Sequence, residues 1–270
     1  EGVLVGIIDT GINYLDPIFR NLDGSTRIQR IWDQEEQSGT APREIGYGSE
    51  YTKEQINQAI LSENPKETVP SFDTDGHGTF VASVACGGAN PENLFIGAAP
   101  EAEMVIVKLK EAKEYLREYY FVDRDAGCYQ ENDLVAAVFY LQKVQEELKR
   151  PLVICLAVGT SFGGHNGDSL LADILDIYAT VRNRCVVVGT GNEAARRHHY
   201  FNRFTDAQDM RTAEIRVGEG TQSFAVELWS TLPNIVMVSV TSPSGERTGM
   251  IPIRLGYLFD FSFTFERTTI

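Results

Sequence analysis

Basic residues are scarce in this chain, cysteines are few, and no apolar stretch is long. Lys and Arg number 24 against 38 Asp and Glu, giving a formal net charge of −14. Binding to a phosphate backbone draws on clustered Lys and Arg, so a nucleic-acid partner is excluded. The acidic balance otherwise speaks only to solubility. No apolar run approaches the roughly 18 residues that a membrane span requires. The four cysteines, Cys86, Cys128, Cys155 and Cys185, form no C-x-x-C pair. Cys155 and Cys185 lie in apolar runs, where a thiol acts as a small hydrophobe. The expectation is therefore reduced, structural cysteines rather than disulfides or a zinc site. The chain opens on Glu1 a few positions before an apolar run, without an initiator Met or a leader, which reads as a processed or trimmed start.

What is present is a chain of 270 residues, 43% of them hydrophobic, enough for one large domain or for one domain plus part of another. Its first two-thirds alternates strand and helix signals. Val3–Ile8 is a continuous apolar run, as in a strand buried on both faces. Residues 20–70 are polar and too long for a plain connection, so they carry structure of their own, including a helix near Thr52–Glu63. A helix is predicted from His77 to about Gly87, then a strand over Met104–Leu109. Asn132 or Asp133 caps a helix with Leu134, Val138, Leu141 and Leu148 as its apolar stripe, stopped by Pro151. Leu152–Val158 is a further strand, Asp168 or Ser169 caps a helix reaching about Asn183, and Cys185–Val188 is another strand. This repetition implies an α/β fold with a mostly parallel sheet and helices on both faces.

After about Arg197 the texture changes. Ala213–Val217, Ser223–Trp229, Asn234–Val240, Met250–Leu255 and Phe259–Phe265 are short β-rich runs punctuated by Gly and Pro. They suggest an antiparallel β-rich domain. The expected organisation is a core over residues 1–200, incomplete, followed over 201–270 by part of a β-rich domain, with Ile270 an artificial or processed end.

Two short strings carry chemistry. Ile7-Ile8-Asp9-Thr10-Gly11 closes the first apolar run, and Asp75-Gly76-His77-Gly78-Thr79 opens a small-residue helix. A serine hydroxyl is a poor nucleophile until a base takes its proton. His77 suits that role, and Asp9 could accept the other ring N–H, fix the tautomer and stabilise the imidazolium. Each string also has a plain structural reading, a strand-end turn for Asp9 and a helix-start histidine for His77.

Taken together and in this order, the strings resemble the subtilisin-like serine proteases, whose triad runs Asp, His, Ser. Val187-Val188-Gly189-Thr190-Gly191-Asn192-Glu193 resembles the segment of that family whose Asn donates to the tetrahedral oxyanion, which assigns Asn192. An Asn beside Gly191 is also a common turn. Leu156-Ala157-Val158-Gly159 resembles the family's strand that pairs with substrate backbone, which makes Ala157, Val158 and Gly159 substrate-binding; the family's usual Ser and Leu are Ala157 and Val158 here. Ile18 stands after Pro17, where subtilisins commonly have a calcium-ligating Asp, so no calcium, other metal or cofactor is expected.

No G-T-S-x-A segment, the family's serine motif, follows His77. Asp16-Pro17-Ile18-Phe19-Arg20-Asn21 and Arg30-Ile31-Trp32-Asp33-Gln34 are similar to stretches of the clostridial germination proteases. That group inserts a jelly-roll domain between the oxyanion Asn and the serine, and some of its members are pseudoproteases. The resemblance implies a subtilisin-like core, a jelly-roll-like insertion, a protein or peptide substrate, and a bacterial, secreted or spore-associated setting. A propeptide or the remaining C-terminal part of the protein is the implied partner. It also implies an endopeptidase whose serine lies beyond this stretch, with a non-catalytic scaffold binding a protein partner as the alternative.

Other readings compete for the same residues. Gly159-Thr160-Ser161-Phe162-Gly163 fits G-x-S-x-G, with Asp173 or Asp176 and His198 or His199 completing a triad. That motif needs a helix starting almost at the serine, and Gly163–Gly167 intervenes. Asp9-Thr10-Gly11 also fits an aspartic protease, but a second D-T-G within the chain is lacking. His198-His199 beside Arg196-Arg197 reads as a solvated polar segment rather than a metal site.

Overall fold

The structure, a computed structural model, describes residues 2–270. It divides into two compact units. One comprises the stretch ending at Ser161 together with Gly167–Ala225, and the other Phe162–Asn166 together with Val226–Ile270.

In chain order the first unit holds β1 (Leu4–Asp9), β2 (Ile28–Asp33), β3 (Ser49–Thr52), α1 (Lys53–Leu61), α2 (Pro65–Thr68), α3 (His77–Cys86), β4 (Glu103–Lys108), α4 (Glu114–Tyr119), α5 (Glu131–Leu148), β5 (Leu152–Leu156), α6 (Leu170–Thr180) and β6 (Arg184–Val188). The strands form one six-stranded sheet in the order β3-β2-β4-β1-β5-β6. Every neighbouring pair is parallel except β2 with β3. Chain order runs from β1 out to β2, back to β4, and then across to β5 on the other side of β1. The direction of winding therefore reverses at β1, and such reversals are where open α/β sheets bind ligands, at the carboxyl ends of the strands.

The alternation of β1 sorts its side chains between two cores. Leu4 and Ile8 join Val105, Val107, Ile154 and the buried face of α5. Val5 and Ile7 join Met104, Ile106, and Ala82 and Cys86 of α3. Each fully buried Leu or Ile contributes about 1.5–3 kcal/mol of hydrophobic stabilisation. Gly6 faces the α5 side, where a Cβ would meet Leu141 Cδ1 at 2.7 Å, so glycine lets α5 lie close against the central strand. Asp9, in phase with Val5 and Ile7, falls on the α3 side.

The helix ends follow local chemistry. Thr52 and Gln55 form a reciprocal capping box on α1. Of the two candidates for α6, Ser169 is the cap, accepting from Ala172 N at 3.1 Å. The expected cap of α5 is displaced. The helix starts at Glu131 after Gln130, and Asp133 is buried within the first turn, where it accepts from Tyr47 Oη at 2.8 Å and pairs with Lys110 Nζ at 2.9 Å. Tertiary partners have claimed the carboxylate that sequence alone assigned to a local cap.

The cysteines are free thiols. Cys86 is buried and Cys155 half-buried on the α3 side, but Cys185 is exposed on β6, contrary to its expected burial.

In the second unit Met237–Val238 (β7) pairs antiparallel with Ile251–Pro252 (β8), and Ser262–Phe263 (β9) with Thr268–Thr269 (β10). Antiparallel β-structure is therefore present, in shorter pieces than the sequence pattern suggests. Ala213–Val217 and Ser223–Trp229 form no strands. Ile215, Val226, Leu228 and Trp229 are exposed, and alternating residues gain nothing from a strand unless a second layer buries one face.

Candidate active site

Asp9 ends β1 and is fully buried. Its Oδ1 accepts the Thr10 backbone N–H at 2.8 Å and lies 2.7 Å from His77 Nδ1. A carboxylate can only accept, so the Nδ1 proton is on the imidazole and donates to Asp9. His77 opens α3, and its side chain is 45% exposed, so the ring is anchored at one edge and open to solvent elsewhere. The hydrogen bond to Asp9 raises the His77 pKa above the ordinary histidine value. Partial burial opposes the shift, and the charges of Asp9, Asp75 and Asp73 add to it. Asp9 Oδ2, also buried, has no hydrogen-bond partner among the described residues.

Glycine makes this approach possible at the helix start. Gly76 precedes α3 with φ 94°, in the left-handed region, and Gly11 turns the chain after β1 with φ 121°. Gly78 packs directly on that turn. Its N–H donates to Thr10 Oγ1 at 2.8 Å, and a Cβ there would lie 2.9 Å from Gly11 N.

Asp73, absent from the sequence-based candidates, organises the same junction. Its Oδ1 accepts from Thr10 Oγ1 and Gly76 N, both at 2.9 Å. Its Oδ2 accepts from Thr79 N at 2.9 Å and Thr79 Oγ1 at 2.6 Å. The available signal was a cap position filled by Gly76, which has no side chain to offer the first turn, with an Asp three residues upstream.

The remaining candidates line the same sheet edge. Ala157, Val158 and Gly159 leave β5, the neighbour of β1, and Asn192 lies exposed on the segment leaving β6. These two exits run together. Gly189 N donates to Leu156 O at 3.0 Å, and a Cβ on Gly159 would lie 3.9 Å from Gly191 Cα. The structure thus joins Asp9 and His77 by a direct hydrogen bond. Asn192 stands at the carboxyl edge two strands from β1.

The competing G-x-S-x-G arrangement is not built. No helix starts at Ser161, since Ser169 caps the next one, and Asp173 and Asp176 lie on the exposed side of α6. His198 Nδ1 instead pairs with Glu193 Oε2 at 3.1 Å on its own segment. Among the described residues no group of three or more His, Cys, Asp or Glu side chains is arranged to hold a metal ion.

A family model described as Subtilase family matches residues 1–248. The chain belongs to the subtilase family. The solved structure of the Clostridium perfringens CspB protease is similar to it, with a TM-score of 0.73 and 30% identity over 94% of this chain and 49% of that one. Subtilisin-like protease SBT2.2 of Arabidopsis thaliana is 32% identical over 96 residues, 32% of this chain and 11% of that protein. The chain therefore spans about half of CspB and a small part of SBT2.2.

Proposed function

We propose that this chain supplies the base, the orienting carboxylate and the oxyanion donor of a subtilisin-type serine endopeptidase. The nucleophilic serine lies outside these 270 residues, in which no G-T-S-x-A segment follows His77. The observation that carries the proposal is the 2.7 Å contact between His77 Nδ1 and buried Asp9 Oδ1, which leaves the other ring nitrogen available as a base.

In this scheme the serine Oγ bonds to the scissile carbonyl carbon as His77 Nε2 takes its proton. The carbonyl electron pair moves to oxygen, where the Asn192 side chain donates a hydrogen bond. Collapse breaks the C–N bond, and the leaving amine takes the proton from His77. Water then repeats the cycle on the acyl-enzyme. The backbone of Ala157, Val158 and Gly159 would pair with a protein or peptide substrate. Residues 1–200 would form the catalytic core and residues 201–270 the first part of an inserted β-rich domain.

The test is fluorophosphonate labelling of the full-length protein, with the modified residue mapped. Label on a serine outside residues 1–270, lost in His77→Ala, is the expected result. Label on Ser161 would overturn the assignment. An unlabelled, folded full-length protein would favour a non-catalytic scaffold that holds a protein partner in the same cleft.

A further inference from the structure

We infer that Asp73 is a positioning residue that holds Asp9 and His77 at their working separation. This rests on the proposed catalytic role of that pair. The physical starting point is a helix start without a cap. The first N–H groups of α3 lack intrahelical acceptors, and Gly76 has no side chain to supply one.

Asp75 accepts the first of these, His77 N, at 3.1 Å, and Asp73, three residues upstream of Gly76, accepts Gly76 N on one oxygen and Thr79 N on the other. The same two oxygens then reach across to the end of β1. Oδ1 accepts the Thr10 hydroxyl, whose oxygen in turn accepts the Gly78 N–H at 2.8 Å. Oδ2 accepts the Thr79 hydroxyl, whose oxygen accepts the Asn13 N–H at 2.9 Å. One carboxylate, only 6% exposed, therefore closes a ring of hydrogen bonds between residues 10–13 and 76–79. Burial alone would raise its pKa, yet its bonds to Thr79, Gly76 and Thr10 hold it below the ordinary carboxylate value.

The ring ends one peptide unit from each partner of the Asp9–His77 contact. Thr10 follows Asp9 and also donates its backbone N–H to Asp9 Oδ1, and Gly78 follows His77. Asp73 itself bonds to neither Asp9 nor His77, so it acts through their neighbours. An amide cannot replace it. Each Asp73 oxygen faces one backbone N–H of fixed direction, so the NH₂ of an Asn would meet a donor on either side.

The experiment uses the full-length protein with Asp73→Asn, Thr10→Val and Thr10→Ser, folding checked by circular dichroism. It reads peptide hydrolysis together with the low-field proton resonance of the His77 Nδ1–H. Asp73→Asn and Thr10→Val are expected to broaden or abolish that resonance. They should also lower kcat by on the order of 10², the scale of a roughly 1 Å misplacement, with KM changed by less than about twofold. Thr10→Ser keeps the hydroxyl and should restore both. Folded Asp73→Asn with the parental resonance and kcat would overturn the inference. Should Asp73→Asn fail to fold, a Thr10→Val protein with parental resonance and kcat would do so. Retention of full cleavage in His77→Ala would sink the catalytic proposal instead, and the resonance in the Asp73 and Thr10 variants, which keep His77, would still report on Asp73.

Discussion

Gly78 stands where only a hydrogen atom fits beneath Gly11: a Cβ there would come within 2.9 Å of the Gly11 nitrogen and closer still to its carbonyl oxygen. Those atoms are backbone and cannot swing aside. Gly78→Ala is therefore expected to lever α3 away from the end of β1. Overpacking of this kind costs about 1–3 kcal/mol, measurable by urea denaturation. Peptide hydrolysis by the full-length protein should fall by more than stability accounts for, because His77 opens the displaced helix. A fully active, equally stable variant would show that the junction yields more readily than its geometry indicates.

Asp9 offers a sharper test because its substitution can be nearly isosteric. Asp9→Asn removes the charge that stabilises the imidazolium, and an NH₂ at the Oδ1 position, which faces both the Thr10 N–H and the His77 ring, favours the wrong tautomer. Turnover is expected to drop by roughly 10⁴ while the circular dichroism spectrum is preserved. A loss below about tenfold would remove Asp9 from the proposed triad.

The raised His77 pKa has opposite consequences for folding and for catalysis. The protonated ring is favoured in the folded state, first by its hydrogen bond to Asp9, with partial burial opposing and nearby carboxylates adding. The stabilisation is fully present below the unfolded histidine pKa and is lost as pH rises through the higher folded value. A general base must be neutral, so the acidic limb of kcat/KM should lie above the ordinary histidine value. NMR titration of the His77 ring should give the same midpoint in the free protein, and Asp9→Asn should move it downward. A His77 midpoint at or below the ordinary value would contradict the electrostatics of the site.

The proposed assignment puts the nucleophile outside residues 1–270, so this stretch alone is expected to show no His77-dependent proteolysis, a triad lacking one member losing most of its advantage. A fluorogenic peptide assay on purified protein checks this. Cleavage by this stretch that disappears in His77→Ala would place the nucleophile within it.

The legible parts of this fold were those with a one-dimensional signal. β1, β4, β5 and β6 lie on apolar runs, and α6 begins at a serine that caps it. β2 escaped because Gln29 and Arg30 interrupt its apolar residues. Arg30 bonds to Glu147 Oε1 at 3.0 Å, and Gln29 bonds to Glu103, partners distant in sequence. The Asp9 and His77 strings were legible because strand end and helix start mark them. Asp73 was not, since its partners Thr10 and Thr79 sit on separate elements and meet it only after folding. The β-rich runs after residue 200 overstated regular structure because alternation records a capacity for burial, and only a covering layer realises it.

The odd-even sorting of β1 also limits which length changes evolution can accept here. Removing one residue between Leu4 and Ile8 would turn Asp9 from the α3 face to the α5 face, away from His77, while moving apolar residues between the two cores. The polar stretch 34–48 is held at its ends instead, since Gln34 is buried with its amide donating to Asp133 O and Tyr47 Oη donates to Asp133 Oδ1, so an insertion is accommodated at its exposed tip, Arg43 and Glu44. Sequence drift in this protein should therefore show a fixed spacing from Leu4 to Asp9 and length variation at the tip around Arg43 and Glu44.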